Sequence, residues 1–551
     1  MFKILLKHEI LGLLKSRRVI WSISIFLILF SIVFSLRVKD FKQRQQNYIS
    51  DSQKIKSDNQ DAQNYSFVGI PAIRKPQISS IYNEGTTHSF GTFLKVRIFV
   101  PIYSAENNSA SENAVYEFPT RMDITYLITF FLSLFVLIIS FDSINSEKEL
   151  GTLRMIFVYP IKRFQFIAKK IIGTISFVGL VFGIPYFGSI AYLLIAFPSE
   201  MNFSVLEFLI IYFLYAIMYL LVITLIGILF SVLTKSSGKS LIFSLLFWIT
   251  FAIIIPITYN YFSGYLINQN KLTDIIEQQT KIRNKRNKVF LEIPDDINPN
   301  KYGHQNWNGG YLTGLTVYGT KEMFEGHINY LRYYYKNYLP GVRKDEDLEI
   351  EKLKLLHRPE KLSTIYMFFD PNVLFKQSAE ALSLTGIDDY LEYLRTAINL
   401  REEYTNQGIK DGWLFSKKYI SLYEEKAAVI DFEDWLMSKA PSQFLKKEIP
   451  GCKTDENGRK EIMKIFIKYS NSGNNAPKYI GNIWQKYTAY TFNNKWEKFS
   501  FELPKFPEFH QSKLDINLII KRTLPNFVLL TILIILLLIT IDVKFKKFDL
   551  R

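Results

Sequence analysis

Apolar residues in this chain are gathered into blocks, and the blocks set its plan. Val19 to Leu36 supplies 18 residues of almost unbroken Ile, Leu, Phe, Val and Ser, roughly 27 Å of helix and enough to cross a bilayer core. Comparable blocks occupy residues 124–143, 171–197, 205–233, 238–262 and 524–541, which predicts six transmembrane helices. Ahead of the first, residues 1–18 place Phe2, Leu5, Leu6, Ile10, Leu13 and Leu14 at helical spacing, the pattern of an amphipathic helix lying on a membrane surface. Between the blocks lie two long polar segments. Residues 37–123 begin Gln-rich and charged, as a continuation of the first helix beyond the membrane, and alternate like a strand from Phe93 to Ile102. Residues 263–523 carry no span; helical patterns run over Thr273–Leu291, Lys321–Tyr338 and Asn372–Tyr404, and five tryptophans, among them Trp435, are expected in a core. The fold class expected is an α-helical polytopic membrane protein with a small and a large mixed α/β outer domain.

Charge orients this plan. The chain carries a net +16, and most of the excess falls in residues 1–18, 143–170, 234–239 and 542–551, the short segments that an even number of spans places on one side together with both termini. That is the positive-inside pattern, so both ends are expected in the cytoplasm and the basic balance needs no nucleic acid. A cleaved signal peptide fits poorly, because no small-residue cleavage site follows the first apolar block. Cys452 is the sole cysteine, which rules out an internal disulfide. Gly173, Gly179, Gly183, Pro185 and Gly188 in the third span suit close helix packing or a kink.

The polar insert at residues 141–170, FDSINSEKELGTLRMIFVYPIKRFQFIAKK, is pinned between the second and third spans. Its acidic residues come first and its basic residues last, as a short helix prefers, with a turn expected at Pro160 before re-entry into the membrane. Glu147, Glu149, Gly151, Thr152 and Leu153 form the pattern E-x-E-x-G-T-L, with Arg154 next and Pro160, Ile161 and Arg163 following. At these residues the chain resembles the type-2 class of ABC exporter permeases, in which the same segment is the coupling helix seated in a groove of the cytoplasmic ATPase. Residues 501–506, the last span and residues 545–551 are similar to the C-terminal region of a permease subfamily with a large outer domain of unknown function. Leu384-Thr385-Gly386 with Tyr390, Tyr393, Leu394 and Arg401 is similar to a helix of that domain, though its T-G order is reversed here.

The resemblance implies a permease subunit coupled to a separate ABC ATPase dimer that binds ATP and Mg, paired with a second permease chain, identical or paralogous. It would sit in a bacterial cytoplasmic membrane in contact with lipid, with its large segments outward and open to an outer-side protein partner. The ATPase-coupling residues expected are Glu147, Glu149, Gly151, Thr152, Leu153, Arg154, Pro160 and Arg163, with the two glutamates and Arg154 making polar contacts to the ATPase. Ser236 to Ser240 read S-S-G-K-S, but Leu233 stands where a phosphate-binding loop needs its first glycine. The six histidines show no metal-binding spacing, and no nucleophile elbow occurs. No catalytic, cofactor or metal site is expected on this chain. Two other functions remain: a mechanotransmission subunit that works outer-side partners without passing cargo, and a membrane-anchored receptor or scaffold.

Overall fold

The computed structural model describes residues 2–60, 69–85, 91–102, 122–158, 163–258, 268–294, 321–357, 370–410, 433–470, 479, 482–483, 486, 506–510 and 516–546. A first helix, α1 (Phe2–Lys15), is followed at once by α2 (Arg17–Gln60). The apolar block at 19–36 is only the first part of α2; the polar residues that follow keep the helix going for 44 residues in all. Strands β1 (Ile70–Ile73) and β2 (Phe93–Val96) pair antiparallel, Ile70 opposite Val96 and Ile73 opposite Phe93. The strand-like alternation expected from Phe93 to Ile102 thus gives four residues of strand.

Helix α3 (residues 124–140) opens on Asp123, whose carboxylate accepts from Tyr126 N at 2.7 Å, and contains a π turn at Leu127–Leu132. Two short helices follow, α4 (Asn145–Glu149) and α5 (Thr152–Val158). Then come α6 (Arg163–Ala196), which runs unbroken through Pro185, α7 (Phe203–Leu233) and α8 (Ser237–Thr258). Helix α8 widens into a π turn at Thr250–Ile254 just before Pro256, where proline removes a backbone donor from the ladder. The remaining elements are α9 (Gln269–Leu291), α10 (Lys321–Asn337), α11 (Leu339–His357), α12 (Pro371–Ser383), α13 (Ile387–Lys410), α14 (Ser442–Glu448), α15 (Glu456–Ser470) and α16 (Ile516–Lys546).

Among the described residues six helices are long and apolar enough to cross a membrane: α2, the one that includes α3, α6, α7, α8 and α16. Apolar all round, α7 is the hub, packed against α3, α6, α8, α12 and α16. The closest approach is at Gly227, where an added Cβ would lie 1.9 Å from Ser140 Oγ of α3. The glycines of α6 are looser: a Cβ at Gly179 or Gly183 would meet α7 only at 3.7 Å. Gly227 of the fourth span is therefore packed more tightly than Gly179 and Gly183 of the third.

The run expected as one helix over Asn372–Tyr404 is two. Leu384 takes a left-handed conformation, φ 54°, that ends α12, and α13 restarts after Gly386. Pro371 at the first position and Asp370 as N-cap start α12, the Asp370 carboxylate accepting from Asn372 N at 2.9 Å. Leu374, Phe375, Ala379 and Leu382 of α12 join the same apolar cluster as the spans. The buried hydroxyls around it are paired: Tyr219 donates to Asn372 Oδ1 at 2.5 Å, Tyr186 to the Leu209 carbonyl at 2.7 Å, and Tyr212 pairs with Thr125 at 2.9 Å.

Segments 37–123 and 263–523 share a second cluster. The ribbon's Ile70, Ala72, Leu94 and Val96 pack on Tyr393, Leu394, Ala397 and Tyr404 of α13, and Tyr393 donates to the Ala72 carbonyl at 2.6 Å. A buried bidentate pair, Arg401 with Glu346 at 2.7 Å, ties α13 to α11. Among the described residues of 263–523 every regular element is helical, so the expected mixture of helix and strand is confined to the ribbon. Trp435 is buried with Leu436, Leu445 and Ile462; the other four tryptophans of that segment lie outside the described residues.

Candidate functional site

The insert between α3 and α6 folds as two short helices at right of way between helix ends. Its glutamates, expected to point at a partner, are held inside the chain. Glu147 pairs with Lys170 of α6 at 2.7 Å, and Lys170 also pairs with Glu9 of α1 at 2.9 Å. Glu149 accepts from Ser237 N at 2.7 Å and Ser237 Oγ at 3.0 Å, covering the open N-terminus of α8. Between them Lys148 donates to the carbonyls of Ser231, Val232 and Thr234 at 2.9 to 3.1 Å. These are the unsatisfied carbonyls at the C-terminus of α7, where the helix dipole also favours a cation.

Three consecutive residues therefore grip three different spans. Asn145 adds to the hold on α7: its N–H and that of Ile144 both donate to Ser231 Oγ at 3.0 Å, and its amide donates to Thr234 Oγ1 at 2.6 Å. The remaining spans meet at the same end. Arg18 at the start of α2 forms an ion pair with Asp142. Arg163, the first residue of α6, donates to the carbonyls of Phe545 at 3.2 Å and Lys546 at 2.6 Å at the end of α16.

Gly151 makes the corner between α4 and α5 with φ 69°, a conformation glycine adopts at no steric cost. Thr152 Oγ1 closes the corner by donating to the Glu147 carbonyl at 3.3 Å. Leu153 is buried with Phe166, Ile167 and Phe545. Three large apolar side chains stand outward from the corner: Leu150, Met155 and Val158 are 76%, 71% and 84% exposed. The side chain of Arg154 and residue Pro160 lie outside the described residues.

Of the expected coupling residues, Glu147, Glu149, Thr152, Leu153 and Arg163 thus position the segment, and Gly151 shapes it. The residues that sequence reasoning missed are Lys148, which stands as an unspecified position inside E-x-E, and Lys170, which served only as topology charge. No local signal marks the Glu147 and Lys170 pair, because the two meet only once α6 is packed beside α4. Leu150, Met155 and Val158 are marked in the sequence only as apolar residues in a polar insert.

Among the described residues no group of His, Cys, Asp and Glu could hold a metal ion. No curated protein matches the chain. A family model described as ABC-2 family transporter protein matches residues 4–292, just over half the chain and all of the first five long apolar helices together with the gripped insert. The chain belongs to the ABC-2 family of transporter proteins.

Proposed function

We propose that the chain is the permease subunit of an ATP-driven exporter and that α4 and α5 are its coupling helix, docked on a cytoplasmic ATPase through Leu150, Met155 and Val158. The observation that carries this is the division of labour in the insert. Glu147, Lys148 and Glu149 fasten it to α6, α7 and α8, while Leu150, Met155 and Val158 stand outward and uncovered. A surface that is rigidly joined to several spans and exposes large apolar side chains can pass a push from a partner into the bundle. Fastening by buried or half-buried charge-assisted bonds keeps that push from being absorbed by slack in the segment. Nucleotide closing the ATPases would then move α6, α7 and α8 together, in proportion to the difference in ATP affinity between the two states. In this reading both termini and the insert face the cytoplasm, residues 263–523 face outward, and a second permease chain completes the complex.

The test is co-purification of the tagged chain with its ATPase in mild detergent, for the native chain and for Leu150→Asp and Met155→Asp. Both positions are exposed, so both variants are expected to keep the native melting temperature while losing the ATPase. Retention of the ATPase by both variants would overturn the docking face.

A second reading is favoured by the other end of the bundle. Arg522 near the start of α16 pairs with Asp389 at 2.7 Å and Glu392 at 3.1 Å on α13, and α12 fills the space among α7, α16 and the aromatic cluster. Such a direct mechanical link suits a machine that works outer partners by moving residues 263–523, without cargo crossing between the spans.

A further inference from the structure

Away from the gripped insert, a cavity of about 300 Å³ opens between α2, the β ribbon and the end of α12. Arg44, Tyr48 and Asp51 line it from one face of α2, spaced i, i+4 and i+7. Arg74 lines it from the residue after β1, its own N–H extending the ribbon to the Thr92 carbonyl at 2.8 Å.

The two arginines are under-used. Arg74 is 6% exposed, its Nη2 donates to the Leu384 carbonyl, and its Nη1 is buried with no hydrogen-bond partner. No carboxylate among the described residues pairs with it. The largest charge influence on it is that of Asp389, whose oxygen is engaged by Arg522 at 2.7 Å. Arg44 places Nε 3.0 Å from Asp40, while its Nη2 is buried and without a hydrogen-bond partner. Asp40 is itself shared with Arg37, which also holds Glu84 at 2.5 Å. Lys75 is paired with Glu200 at 2.9 Å. Asp51 contributes one negative charge to the lining, so the arginines still leave the cavity with a cationic surplus.

A guanidinium shut away from water with an idle donor is costly unless an anion completes it. Consistent with that, burial lowers the pKa of Arg74 from its ordinary value. Guanidinium groups present forked donors that match the oxygens of a phosphate or carboxylate. Two of them on different walls favour a tetrahedral oxyanion, which can be held from two directions, over a planar carboxylate held from one.

The level of the site agrees. The apolar run of α2 ends at Leu36, and Arg44 lies eight residues on, about 12 Å of helix. The interfacial layer beyond the hydrocarbon is roughly 5–8 Å deep on each side, so Arg44 stands about 4–7 Å outside the headgroups along α2, a distance over which a long guanidinium side chain reaches back to them.

We propose that this cavity binds a phosphate group, carried either by a phospholipid headgroup or by a small phosphomonoester, with Arg44 and Arg74 as its two clamps. The proposal uses the membrane placement of α2 but not the ATPase docking face, so either can fail alone.

The experiment uses the full-length chain in detergent with two probes. Phosphatidylglycerol retention is followed by native mass spectrometry against diacylglycerol as the phosphate-free control, and glycerol 1-phosphate binding by calorimetry. The expected result is binding of at least one probe by the native chain, weakened about tenfold or more by Arg44→Gln, as losing one charge-assisted contact implies, at an unchanged melting temperature. Retention of the lipid alone identifies a headgroup site; binding of glycerol 1-phosphate, with or without the lipid, identifies a site that takes the phosphate group itself from water. Arg74→Gln should weaken binding as well. If that variant does not fold, because it loses the brace on Leu384, Arg44→Gln decides the matter. Binding of neither probe by the native chain, or binding unchanged in Arg44→Gln, would overturn the proposal.

Discussion

Two single residues show how local chemistry is placed under constraint. At Gly151 the backbone is left-handed and a Cβ would meet nothing within 4 Å. Gly151→Ala therefore carries only the conformational cost of that φ, about 1 kcal/mol, and the bundle should still fold. Its effect is expected in function: the α4 to α5 corner relaxes, and ATP hydrolysis in the assembled complex proceeds with less transport per ATP. Normal coupling in a folded Gly151→Ala or Gly151→Val chain would count against the corner's role. At Asp370, burial pushes the carboxyl up to about 6 from its ordinary 3.8, against the lowering influence of its bond from Asn372 N and of Lys376. The folded state thus holds this proton more tightly than the unfolded chain does. The stability this contributes is present in full below 3.8 and is lost as pH rises through about 6. Asp370→Asn keeps an N-cap acceptor and no longer titrates. Its melting temperature should exceed the native one by a margin that grows between about pH 4 and pH 6; a margin independent of pH would show that Asp370 does not titrate there.

At the scale of elements, strength is unevenly spread through the gripped insert. Lys148→Met removes a cation from three carbonyls at the end of α7 and should cost about 2 kcal/mol. Glu149→Gln leaves an acceptor facing an exposed N–H and should cost less than half of that; thermal melting of the two variants side by side checks the order. The insert was legible in the sequence as a place, because a charged stretch between two apolar blocks has nowhere else to go. Its inward use was not, since Glu147 pairs with Lys170, a residue of the next span. The spans were legible from apolar length alone, and so was the continuation of the first helix past Leu36 on charged, Gln-rich residues, which runs to Gln60. Helix α12 was the hardest. Its sequence, PNVLFKQSAEALS, has the balance of an ordinary soluble helix, and nothing in it announces that Asn372 and Ser378 will meet Tyr219 and Asn526 inside a bundle of spans.

For the molecule as a whole, the proposed orientation can be read from the sole thiol. Cys452 lies between α14 and α15, half-buried, in residues 263–523. A membrane-impermeant maleimide added to intact cells, after permeabilisation of any outer membrane, should label it fully. Labelling only after the cytoplasmic membrane is lysed would invert the topology. The α7 hub gives this architecture one further property. Packed on α3, α6, α8, α12 and α16, it joins the gripped end to the aromatic cluster around Tyr212 and Tyr219, so a displacement at Lys148 and a displacement at Asn372 act on one rigid rod.

Arg163 holds the carbonyls of Phe545 and Lys546 from 382 and 383 positions away. A chain emerging from the ribosome makes α4, α5 and α6 long before α16 exists, and domains tend to fold in the order they are made. Leu153 and Phe166 must wait for Phe545 to complete their cluster. The surface offered by Leu150, Met155 and Val158 therefore takes its final form only after α16 has been made. Under the proposed docking, a chain cut short before Ile516 would present this face unfinished and should fail to hold the ATPase.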